Sequence, residues 1–296
     1  MGEFWALNVF YEFFVHRTKL FLDSIRYQET IFALPFAYTG MVLASQGFPS
    51  LYVFSWISVA MVSARTVGMA SNRIFDRNID AINPRNKNRH LPSGLLTVRY
   101  MSAISFFASL IFLFSAYMLN WLSFFLAPVA LIYMLIYPFA KRFTWASNLM
   151  LGWVLAIAPS AAWIGVKGTL NVEPILLSCA VALWAASFDI IYHVQDFDFY
   201  RNYGFHSIAQ KFGIRLSLIF ARILDLVALV LLVLLGYLME LSFTYYIGIM
   251  ISIGFLLYKH MIISAENLSR IGPSFFRINA YVSIAIFMGT LVSIIV

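Results

Sequence analysis

Two groups of acidic residues stand at the ends of long apolar runs in a chain that almost nowhere else brings an acid near such a run. In the first, Asn72, Asp76 and Asp80 recur every fourth residue; in the second, Asp189, Tyr192 and Asp196 are spaced three and seven apart, with Asp198 just beyond. On a helix each set shares one face, with neighbours at i and i+4 about 6 Å apart along the axis. A carboxylate placed in a bilayer costs about 2.5–3.5 kcal/mol, so acids repeated at two such helix ends read as a functional site stabilised by a cation. Carboxylate and amide oxygens are hard ligands that suit Mg²⁺, which is usually held by a few carboxylates together with substrate phosphates. The basic residues Lys141 and Arg142 and the loop from Arg85 to Arg89 supply the rest of a phosphate clamp. Acid, base and apolar sequence together imply a phosphorylated substrate with a lipid tail, for which a polyprenyl diphosphate is the natural candidate. Zinc chemistry is disfavoured: the histidines at 16, 90, 193, 206 and 260 form no close ligand pair, and the one cysteine, Cys179, lies inside an apolar run.

These residues have to be positioned by membrane helices. The chain is 62% hydrophobic and 11% charged, with mean hydropathy +0.84, against about 25% charged residues in a soluble domain. The expected fold is all-α, a single polytopic membrane domain over 1–296 with about nine transmembrane helices and a central cavity open to the cytoplasmic side. Apolar stretches near the ~20 residues of a bilayer crossing fall at roughly 30–46, 51–71, 99–119, 121–139, 146–166, 172–192, 216–237, 240–258 and 278–296. Residues 1–26 read as an interfacial N-terminal segment. With the N-terminus inside, nearly all of the 20 Lys and Arg residues fall in loops on one side, which positive-inside bias makes cytoplasmic, and both acidic groups lie on that side. The net charge of +7 is thus mostly topology, and no nucleic-acid partner is expected. Loops are expected over Ala81–Gly94 and Phe199–Gly213.

The run from Asn72 through Asp76 and Asp80 to Asn83-Pro84-Arg85 and Arg89 resembles the first aspartate-rich motif of the UbiA superfamily of intramembrane prenyltransferases. Tyr137-Pro138-Phe139-Ala140-Lys141-Arg142 resembles that family's conserved loop, and Asp189-x₂-Tyr192-x₃-Asp196 through Gly204 resembles its second motif. The resemblance covers about Arg26 to Gly213 and is nearest to the branch that prenylates 4-hydroxybenzoate, or to the related enzymes acting on a naphthoate for menaquinone. It implies that Asn72, Asp76, Asp80 and Asp196 bind Mg²⁺ ions bridging the diphosphate. Arg89, Tyr137, Lys141 and Arg142 would contact the diphosphate, with Arg26 as a further contact, and Asp76, Asp196, Lys141 and Tyr137 would carry catalysis. An aromatic acceptor would then attack the allylic carbon as diphosphate leaves, in the cytoplasmic (inner) membrane with the site facing the cytoplasm, for quinone or other lipid biosynthesis. In one place the sequence departs from the pattern: the acid usual four residues after Asp196 is Tyr200. Either Asp198, the favoured replacement, or Asp189 one heptad back supplies the missing carboxylate.

Blander readings have their own consequences. Asp76 and Asp196 could be salt-bridge partners of Arg77 and Arg201, although that leaves the repeated spacing unexplained; Asp225 near Arg222 reads as an internal ion pair. A membrane transporter could use paired acids for cation coupling, but both groups lie at one membrane face rather than at the midplane. A lipid-binding scaffold without turnover would tolerate Asp-to-Asn changes.

Overall fold

The computed structural model describes residues 15–264, 268 and 271–296. The described residues form an all-helical fold. A helix over 15–24 (α1) is followed by α2 (Thr30–Ser45), α3 (Leu51–Ile82), α4 (Val98–Leu119), α5 (Trp121–Ile136), α6 (Ser147–Lys167), α7 (Val172–Val194), the short α8 (Phe197–Tyr203) and α9 (Ile208–Phe212), then α10 (Ile214–Leu238), α11 (Phe243–Ile262) and α12 (Pro273–Ile295). Eight helices among the described residues are long and apolar enough to cross a membrane, and a shorter apolar helix, Leu34–Ser45, joins them. The expected nine spans correspond to these nine segments, with α2 the short member. The first 14 residues of the expected interfacial segment lie outside the described residues. Residues 15–24 are helical, and Phe21 and Ile25 pack against Ala70 of α3 and Met101 of α4.

Side-chain caps mark where helices begin. Ser50, Thr97, Asn120 and Ser207 each accept the backbone N–H of the third residue on (2.9–3.3 Å), satisfying a donor that a helix start leaves orphaned. Asn120 is the whole connection between α4 and α5. Its extended backbone reverses the chain, and its Nδ2 donates to the carbonyls of Ile164 (2.7 Å) and Gly165 (3.3 Å) on α6.

The 32 residues of α3 make a rod about 48 Å long, well beyond a ~30 Å hydrocarbon core. Leu51 to about Ala70 suffices to cross. Asn72 to Asp80 therefore ride on a rigid extension of the span rather than on a loop, and the helix ends only at Asn83, before Pro84. The expected loop after Phe199 is instead the two short helices α8 and α9, because Gly204 (φ 71°) and Gly213 (φ 80°) supply left-handed stops that divide it.

The most buried span is α7, which packs between α6 and α10. Its contact with α6 leaves no room for a side chain at Gly152, where a Cβ would meet the Ala182 carbonyl oxygen at 2.2 Å. Gly152→Val should therefore push these helices apart at a cost of about 1–3 kcal/mol. A thermal melt of the variant in detergent should show a clear fall, and an unchanged melting temperature would contradict the close approach.

Candidate active site

A cavity of about 860 Å³ runs along the inner face of α3 and is walled by α4, α5, α6 and α7. On α3 its lining climbs from Ile57 through Ala60, Ala64, Gly68 and Asn72 to Asp76 and Asp80, a rise of about 35 Å at helical spacing. One end is polar and the rest is apolar, where small residues such as Ala127, Ala130, Ala158 and Ala161 alternate with larger ones such as Leu155 and Ile157. Leu126 and Val129 of α5 and Trp153 of α6 line it while remaining exposed on the outer surface, so its apolar part opens sideways between α5 and α6.

The polar end brings the two acidic groups together across more than 100 residues of sequence. Asn83 Nδ2 donates to Asp196 Oδ1 at 3.2 Å, and the Arg85 guanidinium pairs with the other Asp196 oxygen and lies 4.3 Å from the Tyr192 ring centre. The Arg85 backbone N–H donates to Asn83 Oδ1 (3.0 Å), which leaves the Asn83 Nδ2 facing Asp196. Arg89 spans both oxygens of Asp80 at 2.8 and 2.7 Å, and Lys141 pairs with Asp76. Asp76, Asp80 and Asp196 are buried, between 2% and 5% exposed. Asn72, Tyr137 and Arg26 line the same cavity.

Arg26 is brought there by a turn with φ 51°, a left-handed backbone that a non-glycine residue rarely adopts. Two arginines of α3 hold that turn: Arg73 Nε donates to the Ser24 carbonyl (3.0 Å) and Arg65 to the Arg26 carbonyl (3.3 Å). The sequence places Arg65 inside a span but does not reveal this role.

Two expected members of the site lie elsewhere. Asp198 is exposed on the first turn of α8 and does not line the cavity, because α7 ends at Val194 and the chain turns through Gln195 and Asp196 before α8 begins. Arg142 is also exposed and outside the lining; its guanidinium donates to the Phe75 carbonyl (2.8 Å) and lies 4.9 Å from the Phe139 ring centre. Its neighbour Lys141 faces the cavity because both belong to a 3-10 turn (Tyr137–Arg142), in which successive side chains point about 120° apart. Asp189 does line the cavity, but each of its oxygens is engaged, Oδ2 by Asn148 Nδ2 (2.8 Å) and Oδ1 by His193 Nδ1 (3.2 Å). Tyr200 occupies the vacated position itself. One helical turn after Asp196, it is buried and lines the cavity, and burial followed by the charges of Asp196, Asp76 and Asp189 pushes its hydroxyl well above the usual tyrosine range. A neutral phenol therefore stands where an anion was expected. Asp225, finally, is paired with Lys259 (2.6 Å) and His260 (2.7 Å) of α11.

The donor set fits a magnesium ion that is completed by substrate. Among the described residues no three Asp, Glu, His or Cys side chains stand close enough to hold a metal alone, since each acid leans on a basic partner. Asp76 Oδ1, however, is buried without any hydrogen-bond partner, an acceptor left open for a cation. Few carboxylates plus phosphate oxygens is the ordinary mode of Mg²⁺ binding.

A helical membrane bundle with a cavity that is charged at one end and apolar along the rest defines an intramembrane enzyme acting on an amphiphilic substrate. The chain belongs to the UbiA prenyltransferase family, whose profile matches residues 33–281. It is 32% identical over 258 residues to a 4-hydroxybenzoate octaprenyltransferase of Aliivibrio fischeri (strain MJ11), covering 86% of this chain and 88% of the relative. The apo structure of a UbiA homolog from Aeropyrum pernix K1 superposes with TM-score 0.81 at 31% identity, over 90% of this chain and 98% of that one. A UbiA homolog from Archaeoglobus fulgidus bound to GPP and Mg²⁺ shares the fold at TM-score 0.73 and 20% identity, covering 94% of this chain and 100% of that one. The chain is a prenyltransferase, as the motif resemblance implied.

Proposed function

We propose that this protein transfers a prenyl chain from an isoprenoid diphosphate to an aromatic acceptor of the 4-hydroxybenzoate or naphthoate type, in quinone or other lipid biosynthesis. The observation that carries the reading is the meeting of Asp76, Asp80 and Asp196 at the polar end of an apolar cavity open to the bilayer. The name carried by the Aliivibrio relative favours 4-hydroxybenzoate as acceptor, and the A. fulgidus neighbour bound to GPP and Mg²⁺ supports diphosphate and metal at the acidic end.

Asn72, Asp76, Asp80 and Asp196 would hold Mg²⁺. Bound there, the metal supplies charge neutralisation for the departing diphosphate. Lys141, Arg89 and Arg85, which rest on the acids, present N–H groups able to bind phosphate oxygens, while Tyr137 and Arg26 line the same space. Their donors stabilise charge gathering on the leaving oxygen as the allylic C1–O bond opens. Tyr133, Phe188 and Tyr192 present aromatic walls nearby, able to stabilise the allylic cation through their π faces and to exclude water. The basic loops at the cavity's polar end support, through positive-inside bias, a site facing the cytoplasm in the cytoplasmic membrane.

The test is direct. Purified protein with Mg²⁺ and octaprenyl or geranyl diphosphate should yield a C-prenylated product with 4-hydroxybenzoate or dihydroxynaphthoate, detected by mass spectrometry, and none after chelation. No product from either acceptor, or movement of substrate across vesicles without diphosphate release, would overturn the reading.

A further inference from the structure

A second polar network runs through the cavity wall beside the paired acids. It starts at α9, where the Ile208 backbone N–H donates to Asn148 Oδ1 (3.2 Å) and so fixes which way that amide faces. Asn148 Nδ2 then donates to Asp189 Oδ2 at 2.8 Å. One turn further along α7, His193 Nδ1 lies 3.2 Å from Asp189 Oδ1 and 3.0 Å from the Asp189 carbonyl oxygen. Two oxygen acceptors around one nitrogen place a proton on Nδ1, so in the neutral ring the lone pair is on Nε2. Asn148 Nδ2 also approaches Nδ1 (3.3 Å), but its shorter contact is with the carboxylate.

The supporting groups are inaccessible and the terminal one is not. Asn148 and Asp189 are 1% and 5% exposed, whereas 21% of the His193 side chain stays accessible and lines the cavity. The rings of Tyr192 and Tyr200 flank it, with centres 5.8 and 5.7 Å away. Asp76, Asp80 and Asp196 each carry a lysine or arginine; Asp189 carries a histidine and an amide. Backbone donor, amide, carboxylate and imidazole in series form a positioned general base.

We infer that His193 is the proton acceptor of prenyl transfer, with Asp189 and Asn148 as its positioning residues. This rests on the proposed reaction and adds its last step. The allylic C1–O bond breaks with its electron pair going to the diphosphate, and a ring carbon ortho to the acceptor's hydroxyl gives a π pair to C1. The C–H pair at that carbon then returns to the ring, restoring aromaticity, and the proton passes to His193 Nε2. The Asp189 carboxylate stabilises the imidazolium, which releases its proton to water at the cavity mouth.

The experiment uses the full chain with Mg²⁺, geranyl diphosphate and 4-hydroxybenzoate carrying deuterium at the ring positions ortho to the hydroxyl. His193→Gln should lose about 100-fold or more in kcat. Its KM for geranyl diphosphate should stay near wild type, and its ring-deuterium isotope effect should exceed the wild-type value because proton removal now limits the rate. Asp189→Asn should show the same isotope signature with a smaller loss, and added imidazole should restore part of the His193→Ala rate. Wild-type rates in these variants, or slow variants with an unchanged isotope effect and no imidazole rescue, would overturn the assignment and leave the proton to the diphosphate. A wild-type protein inactive on this pair would instead overturn 4-hydroxybenzoate as acceptor, and the same variants would then be compared on ring-deuterated dihydroxynaphthoate.

Discussion

Asp76→Ala and Asp196→Ala should each lower turnover by about 1,000-fold or more, since each removes an acid from the point where the two motifs meet and with it the charge stabilisation of the leaving group. The two losses should be grossly non-additive, the double variant falling little below either single one, because both residues serve a single step. From sequence alone, removing an acid from an apolar helix end relieves a cost and should leave stability intact or improved. The ion pairs reverse that expectation. Asp76→Ala strands the Lys141 ammonium, which is 15% accessible, and Asp196→Ala strands Arg85 and the amide of Asn83. Melting temperatures should therefore fall slightly rather than rise. Initial rates at saturating Mg²⁺ and thermal melts of the same preparations check both halves, and near-normal turnover in either variant would remove that residue from the site.

Ala161→Phe carries the second large effect, on substrate length. Ala161 lines the apolar part of the cavity on α6, thirteen residues and so about 20 Å from Asn148 at the polar end. A phenyl ring there meets a long polyprenyl chain but lies beyond the reach of a geranyl one. Octaprenyl diphosphate should lose about 100-fold in kcat/KM, with geranyl diphosphate within a few-fold of wild type. Competition between the two donors measures the ratio. Equal losses for both would show that the chain does not run along this wall.

Much of this site could be read from residue spacing because a helix converts spacing into direction. Asn72, Asp76 and Asp80 lie on one uninterrupted helix, so their i, i+4 pattern translated directly into one cavity-facing row. Asp198 has no such helical warrant; only its nearness along the chain to Asp196 and to the polar loop favours it. Between Asp189 and Tyr203 there is neither glycine nor proline to announce a break, yet α7 stops at Val194, and the new helix gives Asp198 to solvent and Tyr200 to the cavity. Arg142 failed for a related reason: a 3-10 turn separates it from Lys141 by a third of a rotation, which a basic dipeptide does not disclose. Contacts between distant segments carry no local signal at all. Asn148 is an isolated polar residue at the start of an apolar run, and only the packing of α6 against α7 sets it beside Asp189. Arg65 likewise reads as a charge inside a span, and Arg73 as one more basic residue beyond it, until the Arg26 turn that both hold is seen.

The central claim is that acids from two distant helix ends act on one diphosphate through Mg²⁺. Calorimetric binding of geranyl S-thiolodiphosphate, which cannot readily ionise, tests it without turnover. The account predicts tight binding with Mg²⁺, its loss on chelation, and comparable loss in Asp76→Ala and Asp196→Ala. Binding that is indifferent to Mg²⁺, or that survives either substitution unchanged, would contradict it.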